Sequence, residues 1–138
     1  MPAKDFYHEA VKKSLIKDGW LITHDPYSLK LGSADLFVDL GAEKILAAEK
    51  NNERIAVEVK SFLGKSIISE VQDAIGQFIM YREVLTDYDS DRKLFLAVEA
   101  EIFNSDFSEA LKNLLLERLK IKVLVFDSDS EEVIKWLT

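Results

Sequence analysis

The tripeptide Glu58-Val59-Lys60 ends a segment that is otherwise apolar, and it places a carboxylate and an ammonium group side by side. If residues 55–59 form a strand, successive side chains point to opposite faces. Glu58 and Lys60 then share one face, while Val57 and Val59 occupy the other. An acid and a base on one face at the end of a strand are suited to hydrolytic chemistry.

A second carboxylate, Asp39, ends another short apolar segment, 36–40. Two carboxylates from neighbouring strands, with the Val59 carbonyl oxygen and water, would form an oxygen cage suited to Mg²⁺ or Mn²⁺. Lys60 would orient an attacking water, help to deprotonate it, or neutralise charge on a phosphate. Because like charges crowd such a site when no metal is bound, we expect the pKa of at least one carboxyl to rise.

The alternative interpretation of Glu58 and Lys60 is an ordinary ion pair on a half-exposed strand, which is the commonest fate of such residues. The two histidines, His8 and His24, lack metal-ligand spacing and are predicted to be surface residues. Four lysines are candidates for phosphate contacts, with a solvated helix face as the alternative: Lys12, Lys13, Lys17 and Lys65.

Composition restricts the class of protein. The chain has 138 residues, of which 48% are hydrophobic and 31% charged, so it predicts one folded domain over 1–138. The absence of cysteine excludes disulfides, zinc ribbons and thiol catalysis. A formal net charge of −7 excludes a protein that coats DNA by electrostatics alone. It does not exclude contact with a phosphodiester through a metal and a few lysines.

Two features predict a cytoplasmic protein without membrane association. No apolar run approaches the ~20 residues that a membrane span requires. The N-terminal stretch lacks the apolar core and the cleavage site of a secretory signal.

Hydrophobic spacing predicts helices over 5–17, 69–86 and 108–120. Ser69, with Gln72 three residues later, has the form of a capping box and predicts the start of the second helix. The predicted strands are 20–23, 27–31, 36–40, 45–49, 55–59, 94–98, 123–126 and, at a sheet edge, 133–137. This order predicts an α/β fold with a mixed sheet flanked by helices.

Six residues, taken in chain order, resemble the pattern of the PD-(D/E)xK nuclease superfamily: Glu9, Asp39, Glu58, Lys60, Gln77 and Tyr81. Three longer segments resemble, more narrowly, the XisH family, the cyanobacterial fdxN element excision controlling factors. They are 1–5 (MPAKD), 38–44 (VDLGAEK) and 56–64 (AVEVKSFLG). The similarity extends over essentially the whole chain. One departure is Val38, which precedes Asp39 where the superfamily's name has a proline.

The resemblance implies a restriction-endonuclease-like fold with a site near the end of the central strand. In that site Asp39 and Glu58 would hold the metal, and Lys60 would assist the water. Glu9 would add a supporting carboxylate from the first helix.

Two further residues receive a role from the resemblance. Gln77 and Tyr81 lie one helical turn apart, on one face of the second helix, and would support the site from there.

The resemblance further implies a role in excising a DNA element, as a Mg²⁺- or Mn²⁺-dependent endonuclease-like protein that acts on DNA together with an XisI-like partner. The alternative is a non-catalytic regulatory subunit of the same fold that binds XisI or a recombinase. The acidic charge favours this alternative somewhat. A third possibility is a purely structural α/β module whose carboxylates are accidental. The sequence leaves open which of the three is correct, and whether the chain forms a homo-oligomer.

Overall fold

The computed structural model of the protein describes residues 6–35, 45–64 and 66–138. The helices in these ranges are α1 (His8–Lys17), α2 (Ile67–Tyr88) and α3 (Glu109–Asn113), with π-helical turns at Ile102–Asp106 and Leu114–Arg118. The strands are β1 (Leu21–His24), β2 (Lys30–Leu31), β3 (Ala34–Asp35), β4 (Ile45–Lys50), β5 (Glu53–Val59), β6 (Lys93–Glu99), β7 (Val123–Asp127) and β8 (Glu132–Leu137). Within these ranges, no helix combines the length and the apolar character needed to cross a bilayer.

Six strands form one mixed sheet in the order β1-β4-β5-β6-β7-β8, and β2 pairs with β3 separately. β4 and β5 are an antiparallel hairpin, β5, β6 and β7 run parallel, and β8 closes one edge antiparallel to β7. The predicted mixed α/β architecture and the predicted edge strand at the C-terminal end of the sequence are therefore confirmed. The predicted strand 36–40, with Asp39, lies outside the described residues.

The sheet has a hydrophobic cluster on each face, and β5 contributes alternately to both. Ala56 belongs to the cluster that includes residues of α2, whereas Val57 and Val59 belong to the cluster that includes residues of α1. Asn51 and Asn52 connect β4 to β5, and both have positive φ, at 51° and 68°. Asparagine tolerates this conformation, which suits a tight two-residue hairpin.

Two predicted features of the helices are corrected by the structure. The side chain of Ser66, rather than Ser69, caps α2, and it accepts a hydrogen bond from the Ser69 backbone N–H at 3.2 Å. The predicted helix 108–120 is α-helical only through α3, and the π-helical turn Leu114–Arg118 follows it. Hydrophobic spacing located both segments but could not distinguish between the two serines or between the two helix types.

Candidate functional site

Glu58 is the last but one residue of β5, the central strand that joins the hairpin to the parallel part of the sheet. It pairs with Ile45 on β4 and with Leu96 on β6. Glu58 has 0% of its surface exposed, and neither carboxyl oxygen contacts solvent. A carboxylate removed from water is costly unless a cation, hydrogen-bond donors or a proton compensate it. Its burial therefore requires such compensation at this end of β5.

The neighbouring strand ends in a second buried carboxylate, and its role is structural. Glu99 is the last residue of β6 and is 7% exposed. Its Oε1 accepts a hydrogen bond from the Glu101 backbone N–H at 2.6 Å, and its Oε2 accepts one from the Ser128 backbone N–H at 2.9 Å. Glu99 thus ties the end of β6 to the turn between β7 and β8.

The backbone adopts a left-handed conformation shortly beyond Glu58. Val59 is the last residue of β5, and Lys60 follows it and is half-buried. Phe62 then has a positive φ of 54°, a strained conformation for a bulky side chain. Phe62 is nonetheless buried and packs edge-on against Phe107, with 5.4 Å between ring centroids. This packing holds the left-handed backbone conformation of Phe62, which follows Glu58 and Lys60 in the chain.

Of the two residues predicted on α2, Tyr81 is placed deepest. Its side chain is 0% exposed and lies in the cluster that contains Ala56 and Leu96, the neighbours of Glu58 along and across the sheet. Its hydroxyl does not contact solvent. Gln77 lies one turn earlier and is half-buried: its carbonyl oxygen is enclosed, while the residue also lines a groove on the outside of α2 with Met80.

Glu9 lies on the first turn of α1 and is exposed. This helix packs against the face of the sheet that carries Val57 and Val59. The structure therefore places Glu9 on a helix that covers the opposite face from Ala56. The hydrogen bond to Asp25 raises the pKa of Lys12, and the charge of Glu9 adds a smaller effect in the same direction.

The remaining predicted ligand, Asp39, lies outside the described residues. Among residues 6–35, 45–64 and 66–138, no three histidine, aspartate or glutamate side chains lie close enough to hold a metal ion. Glu58 and the Val59 carbonyl are thus the described members of the predicted oxygen cage, which requires Asp39 to complete it.

The structure also corrects the prediction that His8 is a surface residue, whereas His24 is exposed as predicted. His8 is fully buried, with its Nε2 2.8 Å from Asp25 Oδ1. Asp25 also accepts a hydrogen bond from Lys12 at 2.9 Å. Burial raises the pKa of Asp25, but the bond from Lys12 and the contact with His8 outweigh burial, so the pKa lies below its ordinary value. The helical spacing of His8 with buried Val11 was the signal for its burial.

The fold and the site together define a mixed α/β domain with an enclosed acidic residue at the end of its central strand. A family model described as XisH protein matches residues 1–134, so the chain belongs to the XisH family. An XisH family protein from Nostoc punctiforme PCC 73102 has a similar structure, with a TM-score of 0.87 and 39% identity. That match covers 97% of this chain and 100% of the other.

A second similar structure is an fdxN element excision controlling factor protein from Anabaena variabilis. Its TM-score is 0.86 and its identity 40%, and the match covers 96% of this chain and 98% of the other. No protein of curated function matches the chain.

Proposed function

We propose that this XisH family member controls excision of a DNA element as a Mg²⁺- or Mn²⁺-dependent, endonuclease-like protein that acts on DNA with a protein partner. The observation that carries the proposal is the complete burial of Glu58 at the end of β5, directly before the Val59 carbonyl and Lys60. The name of the Anabaena variabilis protein, an excision controlling factor, supports the biological context. The order of Asp39, Glu58 and Lys60 supports a PD-(D/E)xK type of site.

In this proposal Asp39, Glu58 and the Val59 carbonyl would hold the metal. When bound, the metal would stabilise negative charge in the transition state and lower the pKa of a bound water. The enclosed carboxylate fits such a cation, because a hard divalent ion both prefers oxygen ligands and compensates the buried charge. Lys60 orients the attacking water and stabilises charge on the phosphate. Tyr81 packs in the core on the Ala56 side of the sheet, where it supports the strand that carries Glu58.

A second candidate function is a regulatory subunit that uses the same fold to bind a partner protein. The net charge of −7 favours it, since an acidic surface gives weak affinity for DNA. In this case Glu58 would serve the internal structure of the domain and no phosphodiester would be cut.

The experiment is to incubate the purified protein with branched, nicked and linear DNA in the presence of Mn²⁺, with and without an XisI-like protein as the partner. We expect cleavage by the wild type and a loss of at least about a hundredfold in Glu58→Gln, which corresponds to roughly 2.7 kcal/mol of transition-state stabilisation. Lys60→Ala should abolish cleavage while Mn²⁺ binding persists.

Glu99→Gln is the matched control, because it alters a buried carboxylate at the end of the adjacent strand. It should cleave like the wild type at a temperature where both are folded. Absence of cleavage on every substrate, with the partner present, would favour the regulatory subunit instead.

A further inference from the structure

A cationic pocket lies at the end of the sheet where the parallel strands β6 and β7 begin. It has a volume of about 190 Å³. Its basic lining comes from α2, from the start of β6 and from the segment before β7: Arg82, Arg92, Lys93, Lys120 and Lys122. None of the described residues that line this pocket is acidic.

This concentration of positive charge is unexpected in a chain with 25 acidic and 18 basic residues. Like charges held close together repel each other, so the arrangement costs free energy in the absence of a ligand. Within the described part of the chain, Lys93, Lys120 and Lys122 form no ion pair. Internal charge pairing therefore does not account for these three lysines.

The lysines of α1, which are three of the four that the sequence predicts as candidate phosphate contacts, differ from the pocket lysines because each has a partner within the protein. Lys12 pairs with Asp25 at 2.9 Å, and Lys13 lies 3.7 Å from Glu131. Lys17 donates a hydrogen bond to the Ser130 carbonyl at 2.6 Å. The fourth, Lys65, lies outside the described residues.

The two guanidinium groups of the pocket are held in place by hydrogen bonds, and that of Arg92 also pairs with Asp89. Arg82 Nη1 donates to the carbonyls of Leu119 and Lys120, both at 3.1 Å, and so holds the segment that carries the pocket lysines. Arg92 is buried and donates from Nη1 to the Ile55 carbonyl at 3.0 Å.

An apolar floor completes the pocket. The buried side chains of Phe78, Leu85 and Leu94 form it. A small pocket with an apolar floor and basic side chains on its wall is suited to a small anion rather than to an extended chain.

We propose that this pocket binds a phosphate group, carried either by a small phosphomonoester or by the end of a nucleic acid. One carboxylate would neutralise only a fraction of the charge of Lys93, Lys120, Lys122 and Arg82. A phosphomonoester carries about −1.5 to −2 at neutral pH and offers three acceptor oxygens. The inference does not rest on the proposed nuclease activity, since Glu58 lies at the opposite, carboxyl-terminal end of the parallel strands.

The test is a titration of the whole protein with inorganic phosphate at constant ionic strength, followed by calorimetry and by the backbone amide signals of residues 120–122. Sodium acetate is the carboxylate probe. The variants are Lys120→Gln with Lys122→Gln, and Lys120→Arg with Lys122→Arg. The matched control is Lys112→Gln with Lys135→Gln, since these lysines line a second cavity, of about 420 Å³, that also contains Glu109 and Glu117.

We expect saturable phosphate binding that exceeds acetate binding, at least tenfold weaker binding by the double glutamine variant, and retained binding by the arginine variant and the control. Both altered lysines of the pocket are at least partly exposed, so an unchanged melting temperature should confirm folding. The proposal is wrong if the wild type shows no saturable phosphate binding, if acetate binds equally well, or if the control pair weakens binding as much as the pocket pair.

Two further probes distinguish the sources of the phosphate. A DNA decamer with a 5′-phosphate and the same decamer without it identify a nucleic-acid end, if only the first competes with inorganic phosphate. Adenosine monophosphate identifies a small-molecule ligand, if it competes more strongly than either decamer.

Discussion

The charged residues at the two ends of β5 have different surroundings: one lies in an ion-pair network and the other is fully buried. At the amino-terminal end, Arg54 pairs with Asp89, which also accepts hydrogen bonds from Arg92 Nε at 2.7 Å and from the Tyr27 hydroxyl at 2.8 Å. At the carboxyl-terminal end, Glu58 lies wholly inside the domain and is followed by Lys60 and by the positive φ of Phe62. The ion-pair network at the first end joins β5 to the segment between α2 and β6 and, through Tyr27, to the segment between β1 and β2.

α2 connects the two ends, because it begins at Ile67 shortly after β5 and ends at Tyr88, directly before Asp89. The Asp89 end therefore anchors the helix, while the Glu58 end carries the site of the proposed function. If that proposal holds, substitutions at the two ends of β5 should produce different kinds of loss.

The largest effect on stability is expected at the anchoring end. Asp89→Asn removes the negative charge that compensates Arg92, whose side chain is 4% exposed. Breaking a buried pair by changing one partner typically costs 3–5 kcal/mol, and because asparagine still accepts a hydrogen bond we expect about 3 kcal/mol. Urea unfolding at pH 7 measures the loss.

The same variant has a pH signature. Burial raises the pKa of Asp89, but the hydrogen bonds from Arg92 and Tyr27 and the charges of Arg92 and Arg54 outweigh burial, so the folded pKa is below its ordinary value. The stabilisation is therefore complete above the unfolded carboxyl pKa of about 3.9 and is lost as the pH falls through the folded value. The difference in free energy of unfolding between the wild type and Asp89→Asn should therefore become smaller below about pH 4. A difference that stays constant from pH 7 to pH 3 would show that the charge of Asp89 is not the cause.

A smaller effect on the free energy of unfolding is expected from Glu99 and Glu58, the carboxylates near the carboxyl-terminal ends of β6 and β5. Glu99→Gln replaces one of two acceptor oxygens with a donor that faces a backbone N–H, so it should lower the free energy of unfolding by about 2 kcal/mol. Glu58→Gln should leave the metal-free protein equally stable or more stable, since it removes a charge that repels Asp39 in the proposed site. Equal losses in both variants would make Glu58 a structural residue like Glu99.

The smallest effect concerns the first turn of α2, at the Glu58 end. Ser66→Ala removes the observed cap and should cost about 1 kcal/mol. Ser69→Ala, the control, should change stability by no more than about 0.5 kcal/mol. If Ser69→Ala proves the more damaging, the capping box indicated by the sequence is the true one.

Hydrophobic spacing alone locates β5, β6 and β7, because these strands are rich in aliphatic residues. It misses β3 and the π-helical turn Ile102–Asp106, and the predicted strand 27–31 is a strand only at Lys30–Leu31. The sequence also indicates Glu58, since a carboxylate inside an apolar strand is conspicuous. It does not predict the α2 cap, because Ser66 and Ser69 differ only in where the preceding turn leaves the chain.

What sequence spacing could not reveal are contacts between distant segments. The burial of His8 depends on Asp25, and the anchoring of α2 depends on Arg54 reaching Asp89. The cationic pocket gathers residues from 82 to 122, which no local pattern connects.

The central claim is that Glu58 binds a divalent cation in the folded protein, and thermal melting with and without Mn²⁺ tests it most directly. Binding to the folded state alone contributes about 2.7 kcal/mol at a hundredfold excess over the dissociation constant, so the wild-type melting temperature should rise by several degrees. Glu58→Gln and Asp39→Asn should show no rise, and Glu99→Gln should show the full rise from its lower starting temperature. A wild-type melting temperature that millimolar Mn²⁺ and Mg²⁺ leave unchanged, or an equal rise in Glu58→Gln, would contradict the claim.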